Sequence, residues 1–184
     1  MRKPCPTQES IGTVMKSVLT KVLVVLCFAV FGAPYEAWSL DKPKNTPILE
    51  LAGSIQEKNQ DGLAVFDREM LESIGLQTTV TTTPWDEGQV RFEGVPLAKL
   101  LDLVKAKGRT IKVSALNDYT SLIPIDDVQK YSIILALKRN NEYMPVRDKG
   151  PLFIVYPFDS HPELKTQVYY ARSVWQVRRL EIQQ

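Results

Sequence analysis

Two unbroken apolar runs, Ile133–Leu137 and Leu152–Tyr156, constrain this chain more than any other feature in it. A strand with one wet face alternates apolar and polar residues. A run of five without a polar residue reads as a central strand covered on both faces. The rest of the chain must therefore supply apolar cover above and below these two strands. Between them, Arg139-Asn140-Asn141-Glu142 is a turn signal.

Shorter elements frame the two runs. Leu49, Leu51, Gly53 and Ile55 alternate with Glu50, Ala52 and Ser54, the period of a strand with one buried face. A turn at Asn59–Gly62 precedes Ala64–Phe66. Asp67 then offers its carboxylate to the free amides of a short helix whose buried face is Met70, Leu71 and Ile74. Gly75 is placed to end that helix in the left-handed conformation. Gln77–Thr83 is rich in β-branched residues and extended, Pro84–Gly88 turns the chain, and Val90 and Phe92 belong to another strand.

The clearest helix is Pro96–Lys107. Leu97, Leu100, Leu101 and Val104 fall at i, i+3, i+4 and i+7, Pro96 suits the first helical position, and Gly108 suits the cap. Ile111, Val113 and Ala115 mark a half-buried strand, followed by the Asn117-Asp118-Tyr119 turn. Leu122–Ile125 is extended, and Asp126 suits the cap of a short helix through Tyr131. Pro162–Tyr170 reads as a loop with one helical turn. Val174–Ile182 reads as a last strand whose alternation slips at Arg178-Arg179, the mark of a bulge. Strands outnumber helices and do not alternate strictly with them. The expected fold is α+β, a mixed β-sheet with short interspersed helices, not a doubly wound parallel sheet.

Residues 1–39 stand apart. Lys16 and Lys21 precede Val22–Ala33, twelve residues without a charge, and Pro34 ends the run. The hydrocarbon core of a bilayer asks for roughly 20 apolar residues in a helix, so this run has the length of a secretory signal. Ala37 and Ser39 are the small residues that precede a cut before Leu40. On this reading 1–39 is a signal peptide, 40–47 an extended lead-in and 48–184 one periplasmic domain. No membrane span remains after cleavage.

Both cysteines, Cys5 and Cys27, fall in the leader. So do four of the 23 basic and two of the 21 acidic residues, and the remainder carries nineteen of each. That balance speaks against a nucleic-acid partner, which favours a basic face, and against a polybasic membrane contact.

Chemistry is easier to exclude than to assign. A structural zinc site takes four Cys or His ligands, and His161 is the lone histidine. In Asp159-Ser160-His161-Pro162 the triad types are sequence neighbours, which cannot orient one another in the required line. Glycines 53, 62, 75, 88, 94, 108 and 150 are never clustered as in a phosphate-cradling loop. The acid pairs Asp86-Glu87 and Asp126-Asp127 read as solvated turns or helix caps. No residue is assigned a catalytic or metal-ligating role.

Three segments retain two readings each. Arg147-Asp148-Lys149 is an anion-holding loop, with a planar fork at Arg147 and a point charge at Lys149, or an exposed turn with local ion pairs. Asn117-Asp118-Tyr119 follows a strand end, where sites often lie, yet is also ordinary turn chemistry. Trp85 lines a pocket or closes a core.

Taken in order, these residues resemble a known family. Phe92-Glu93-Gly94-Val95-Pro96-Leu97 followed by Leu100-Leu101 is similar to the W/F-x-G-V-P-L-x-x-L-L segment of the oxidoreductase molybdopterin-binding domain, the sulfite-oxidase-type fold. Ile134–Leu137, Met144-Pro145 and Gly150–Pro157 resemble its L-A and G-x-P-L-R-L-V-x-P region. Arg172-Ser173-Val174-Trp175 through Ile182 resembles its closing segment. The resemblance runs from about Ile48 to Ile182 and implies a mixed α+β fold.

Enzymes of that family hold molybdenum with a Cys thiolate a few residues before a Trp or similar residue, ahead of G-V-P-L. Here that stretch is Thr81-Thr82-Thr83-Pro84-Trp85, and Phe153 stands at the Arg of P-L-R-L. A soft thiolate is a strong ligand for such a metal and a neutral hydroxyl a poor one. The resemblance therefore implies molybdopterin as the candidate cofactor, without thiolate-ligated molybdenum.

Two functions remain in view. One is a non-catalytic periplasmic ligand-binding or accessory module, serving a small anionic ligand or a sensor or redox partner. The other is a divergent molybdopterin-dependent oxidoreductase. The expected pocket is Thr81, Thr83, Trp85, Asn117, Asp118, Tyr119, Arg147 and Lys149.

Overall fold

The computed structural model describes residues 40–184, and the expected signal peptide lies outside the described residues. In chain order the strands are β1 Leu49–Gly53, β2 Ala64–Phe66, β3 Gln77–Thr82, β4 Gln89–Pro96, β5 Thr110–Ala115, β6 Thr120–Pro124, β7 Ile134–Arg139, β8 Glu142–Tyr143, β9 Phe153–Val155 and β10 Val177–Gln183. Four short helices intervene: α1 Arg68–Ser73, α2 Leu97–Leu103, α3 Ile125–Lys130 and α4 Gln167–Arg172.

The strands divide into two sheets. The first runs β2-β1-β10-β5-β6. The second runs β3-β4-β7, with β8 and β9 paired to successive stretches of β7. Parallel pairing of β1 with β10 makes the first sheet mixed, while every pairing in the second is antiparallel. The α+β expectation holds, with two sheets where the sequence suggested one.

The two apolar runs explain why. Leu135, Leu137 and Ile154 enter the main core, where they join Leu51, Val113 and Leu180 of the first sheet and Leu97, Leu100 and Leu101 of α2. The alternate positions Ile134, Ala136, Phe153 and Val155 enter a second cluster with Val90 and Phe92, against which Trp85 and Trp175 pack. A strand between two apolar clusters has no wet face, so its sequence cannot alternate.

Local details follow from chain chemistry. The Asp67 carboxylate accepts from the Met70 amide at 2.9 Å as the cap of α1, and Gly75 takes φ +99° after it. The slip in the last strand is a bulge between Val177 and Arg179. Four expectations need correction. Pro96 is the residue before α2, and the helix gives way at Val104, so Gly108 does not cap it. A Cβ on Gly108 would lie 2.4 Å from the Gln183 carbonyl oxygen, so the glycine serves close approach to β10. Pro124, not Asp126, precedes α3. The single helical turn expected in Pro162–Tyr170 is a 3₁₀ turn at Pro162–Leu164 and then α4. Among the described residues no helix is long and apolar enough to cross a membrane.

Candidate functional site

Three segments converge on a cleft of about 370 Å³. The turn after β3 contributes Pro84 and Trp85. The turn between β5 and β6 contributes Asn117 and Tyr119. Helix α4 and the segment behind it contribute Gln167, Tyr170, Ala171, Ser173, Val174 and Trp175. Four of these side chains are aromatic, three more are neutral and polar (Asn117, Gln167 and Ser173), and none is charged.

The walls are held by specific contacts. Trp85 meets Trp175, Tyr170 and Phe153 edge-to-face, with ring centroids 5.2, 6.0 and 6.1 Å apart. Both readings of Trp85 are thus true: it packs on the second cluster and lines the cleft. Asp118 turns the chain with φ +64°, and the Asn117 side-chain oxygen accepts from the Tyr119 amide at 3.2 Å. The Tyr119 hydroxyl donates to the Ala171 carbonyl at 3.0 Å, joining the turn to α4. Arg172 anchors the end of α4 by donating to Asp127 at 2.8 Å, and the same carboxylate accepts from the Tyr156 hydroxyl at 3.0 Å. Burial, helped by the Asp127 charge, pushes the Tyr156 phenol far above its ordinary range.

The expected pocket residues part company. Trp85, Asn117 and Tyr119 line the cleft; the other five do not. Thr81 and Thr83 are buried, with their hydroxyls turned to internal partners. Thr81 Oγ1 donates to the Thr82 carbonyl at 3.3 Å and accepts from the Asp159 amide at 3.1 Å. Thr82 Oγ1 donates to Asp159 at 2.6 Å, and Thr83 Oγ1 to Asp86 at 2.7 Å. Lys149 lies 3.3 Å from Asp86, a carboxylate that Arg139 also holds. Asp118 is 90% exposed and faces Arg178 at 3.7 Å, and Arg147 is exposed outside the cleft.

Sequence reasoning missed Gln167, Tyr170, Ala171, Ser173, Val174 and Trp175 as lining residues. Ser173-Val174-Trp175 lay within the closing segment of the family resemblance, a signal that could have drawn them in. Gln167–Ala171 carried no such signal.

In fold, the chain is similar to the sulfane dehydrogenase SoxCD from Paracoccus pantotrophus, with TM-score 0.55 and 20% identity over 73% of this chain. The match spans 37% of that chain, so the present sequence answers to little more than a third of it. The fold is that of a sulfite-oxidase-type molybdopterin domain. Residues 67–183 match the sequence profile of the oxidoreductase molybdopterin binding domain, and the chain belongs to that family. A search of the curated proteins finds no match.

The residues present do not fit a molybdenum centre of the family's kind. In the stretch where its enzymes carry a thiolate, all three threonine hydroxyls already donate to protein oxygens. Among the described residues, no three or more His, Cys, Asp or Glu side chains are grouped so as to hold a metal ion. The cleft beside this stretch is aromatic and uncharged.

Proposed function

We propose that this chain is an exported, non-catalytic member of its family, a periplasmic module that binds a flat heteroaromatic ring in the cleft. The observation that carries this reading is the cleft itself: about 370 Å³ framed by Trp85, Tyr119, Tyr170 and Trp175. Stacking a ring on an aromatic side chain is worth about 1–3 kcal/mol, and neutral polar groups at Asn117, Gln167 and Ser173 can fix its orientation. Loss of the thiolate removes the metal ligand without removing a place for a ring. The pterin ring is the first ligand to test, because the family's cofactor contains one. The expectation that residues 1–39 form a secretory signal is the basis for export, and an accessory module of this kind would act on a sensor or redox partner in the same compartment.

The test is protein purified from its own periplasm with export intact. Molybdenum is measured by elemental mass spectrometry and pterin by fluorescence after denaturation. Pterin without metal is the expected result. Near-stoichiometric molybdenum with pterin would overturn the non-catalytic reading in favour of a divergent oxidoreductase. Absence of both, with no ring bound on titration, would overturn ring binding.

A further inference from the structure

We infer that the ring accepted by this cleft is uncharged and carries an amide-like edge, and that phosphorylated forms of the same ring are rejected. The inference rests on the ring-binding reading above and reverses the sequence expectation of an anionic ligand. That expectation depended on Arg147 and Lys149, and neither lines the cleft. Lys149 instead lies 3.3 Å from Asp86, whose side chain is 2% exposed. Arg139 joins the same carboxylate and also reaches Asp148 at 3.3 Å. Two cations and two carboxylates balance within that cluster, leaving no excess positive charge. Of the other cations around the cleft, Arg172 at the end of α4 is paired with Asp127 at 2.8 Å, Arg178 faces Asp118 at 3.7 Å, and Arg147 is exposed to solvent and does not line the cleft.

A phosphate drawn among the lining residues would shed water without gaining a cation, and a buried unpaired charge is strongly disfavoured. Phosphate is ordinarily met by arginine forks or lysine, and the cleft lining holds neither. What the lining does hold is neutral and two-sided. The carboxamides of Asn117 and Gln167 each bear donors and an acceptor, and the Ser173 hydroxyl, which donates to the Tyr169 carbonyl at 3.0 Å, adds an acceptor. The Asn117 oxygen already accepts from the Tyr119 amide, which leaves its amino group to donate. The complement is a planar heterocycle whose edge presents a carbonyl beside an N–H, the pattern of a ring lactam.

The experiment compares 6-hydroxymethylpterin with its monophosphate ester, which differ by the phosphate alone. Each is titrated into the exported protein and followed by tryptophan quenching and calorimetry. The neutral ring should bind at least about tenfold more tightly, with an affinity that holds between about 0.05 and about 0.5 M salt, where an ion-paired ligand would be screened. Gln167→Arg should narrow the gap by raising affinity for the ester, and Arg147→Ala should alter neither ligand. Equal or tighter binding of the ester, weakening with salt, would overturn the inference while leaving ring binding intact. So would loss of ester binding in Arg147→Ala. Binding of neither ligand would overturn the ring-binding reading, and this inference with it. The two-ligand comparison needs no variant, so it decides even where a substituted protein fails to fold.

Discussion

The guanidinium of Arg172 and the carboxylate of Asp127 meet at 2.8 Å, tying the end of α4 to α3. Both side chains are largely shielded, at 22% and 11% exposure. No residue of α4 is fully buried; Tyr169 and Tyr170 pack half-buried against the core, and this pair and the Tyr119–Ala171 hydrogen bond fasten the helix that forms one wall of the cleft. Arg172→Ala leaves a shielded carboxylate with the Tyr156 hydroxyl as its remaining listener. Breaking a shielded pair from one side costs about 3 kcal/mol, and urea unfolding should show a loss of that order. Ring affinity should fall with it, because Gln167, Tyr170 and Ala171 lose their fixed position. Tyr156→Phe removes one hydrogen bond and should cost about 1 kcal/mol. Unchanged ring affinity in Arg172→Ala would show that α4 is positioned by packing alone.

Trp85 gives a sharper test of the cleft, since its ring is shared between wall and core. Trp85→Ala should lower ring affinity at least about tenfold, the value of one lost stacking contact. It should also cost about 2 kcal/mol of stability through three edge-to-face contacts. Trp85→Phe keeps an aromatic face and should recover most of both. Calorimetric titration separates the cases, and equal affinity in wild type and Trp85→Ala would remove Trp85 from the site.

Two carboxylates should govern acid stability. Asp67 accepts from the amides of Met70, Asn45 and Lys44, each at 2.9 Å, so it caps α1 and fastens the lead-in. These hydrogen bonds hold its carboxyl below the ordinary range despite burial. Asp159 is held well below that range by Lys165, then by the Thr82 hydroxyl and amide and by Gln89. A depressed native value means stabilisation present above the unfolded carboxylate value of about 3.9. It is lost as pH falls through that value towards the native ones. Urea midpoints should therefore be flat near neutrality and fall steeply below about pH 4. Asp159→Asn should lower the neutral midpoint and flatten the acid limb. An acid limb unchanged in that variant would assign the acid response to other groups.

What the sequence disclosed and what it hid have separate physical causes. Local causes leave local marks. The Asp67 cap, the left-handed Gly75 and the bulge before Arg179 each follow from a few adjacent residues. The two-sided burial of β7 and β9 was equally legible, because every residue in those runs must be apolar. Helix α4 was not: its core-facing residues are the adjacent, half-buried Tyr169 and Tyr170, too short a pattern to give an apolar period. The fate of Lys149 was hidden for another reason. Its partner Asp86 lies 63 residues away, and only the pairing of distant strands brings them together. The cleft therefore came half into view: its two turns carried turn chemistry, while the helix and the segment behind it owe their place to tertiary contacts.

Gly94, the glycine of the G-V-P-L segment, has a steric explanation that can be tested. It lies at a register shift in the pairing of β4 with β7. A Cβ there would stand 2.2 Å from the Leu135 carbonyl oxygen and 2.4 Å from the Ala136 Cα. Both are main-chain atoms of a central strand, so no rotamer change relieves the clash and the two strands must separate. Gly94→Ala should cost about 3 kcal/mol, the upper end of what overpacking a well-filled interior costs. Gly62 is the control. It has φ +81° but nothing within 4 Å of an added Cβ, so Gly62→Ala bears backbone strain alone and should cost about 1 kcal/mol. Urea unfolding of the two variants side by side separates close approach from conformational freedom. Equal losses would mean that β7 yields to the methyl group, and that the glycine of this segment is there for some reason other than space.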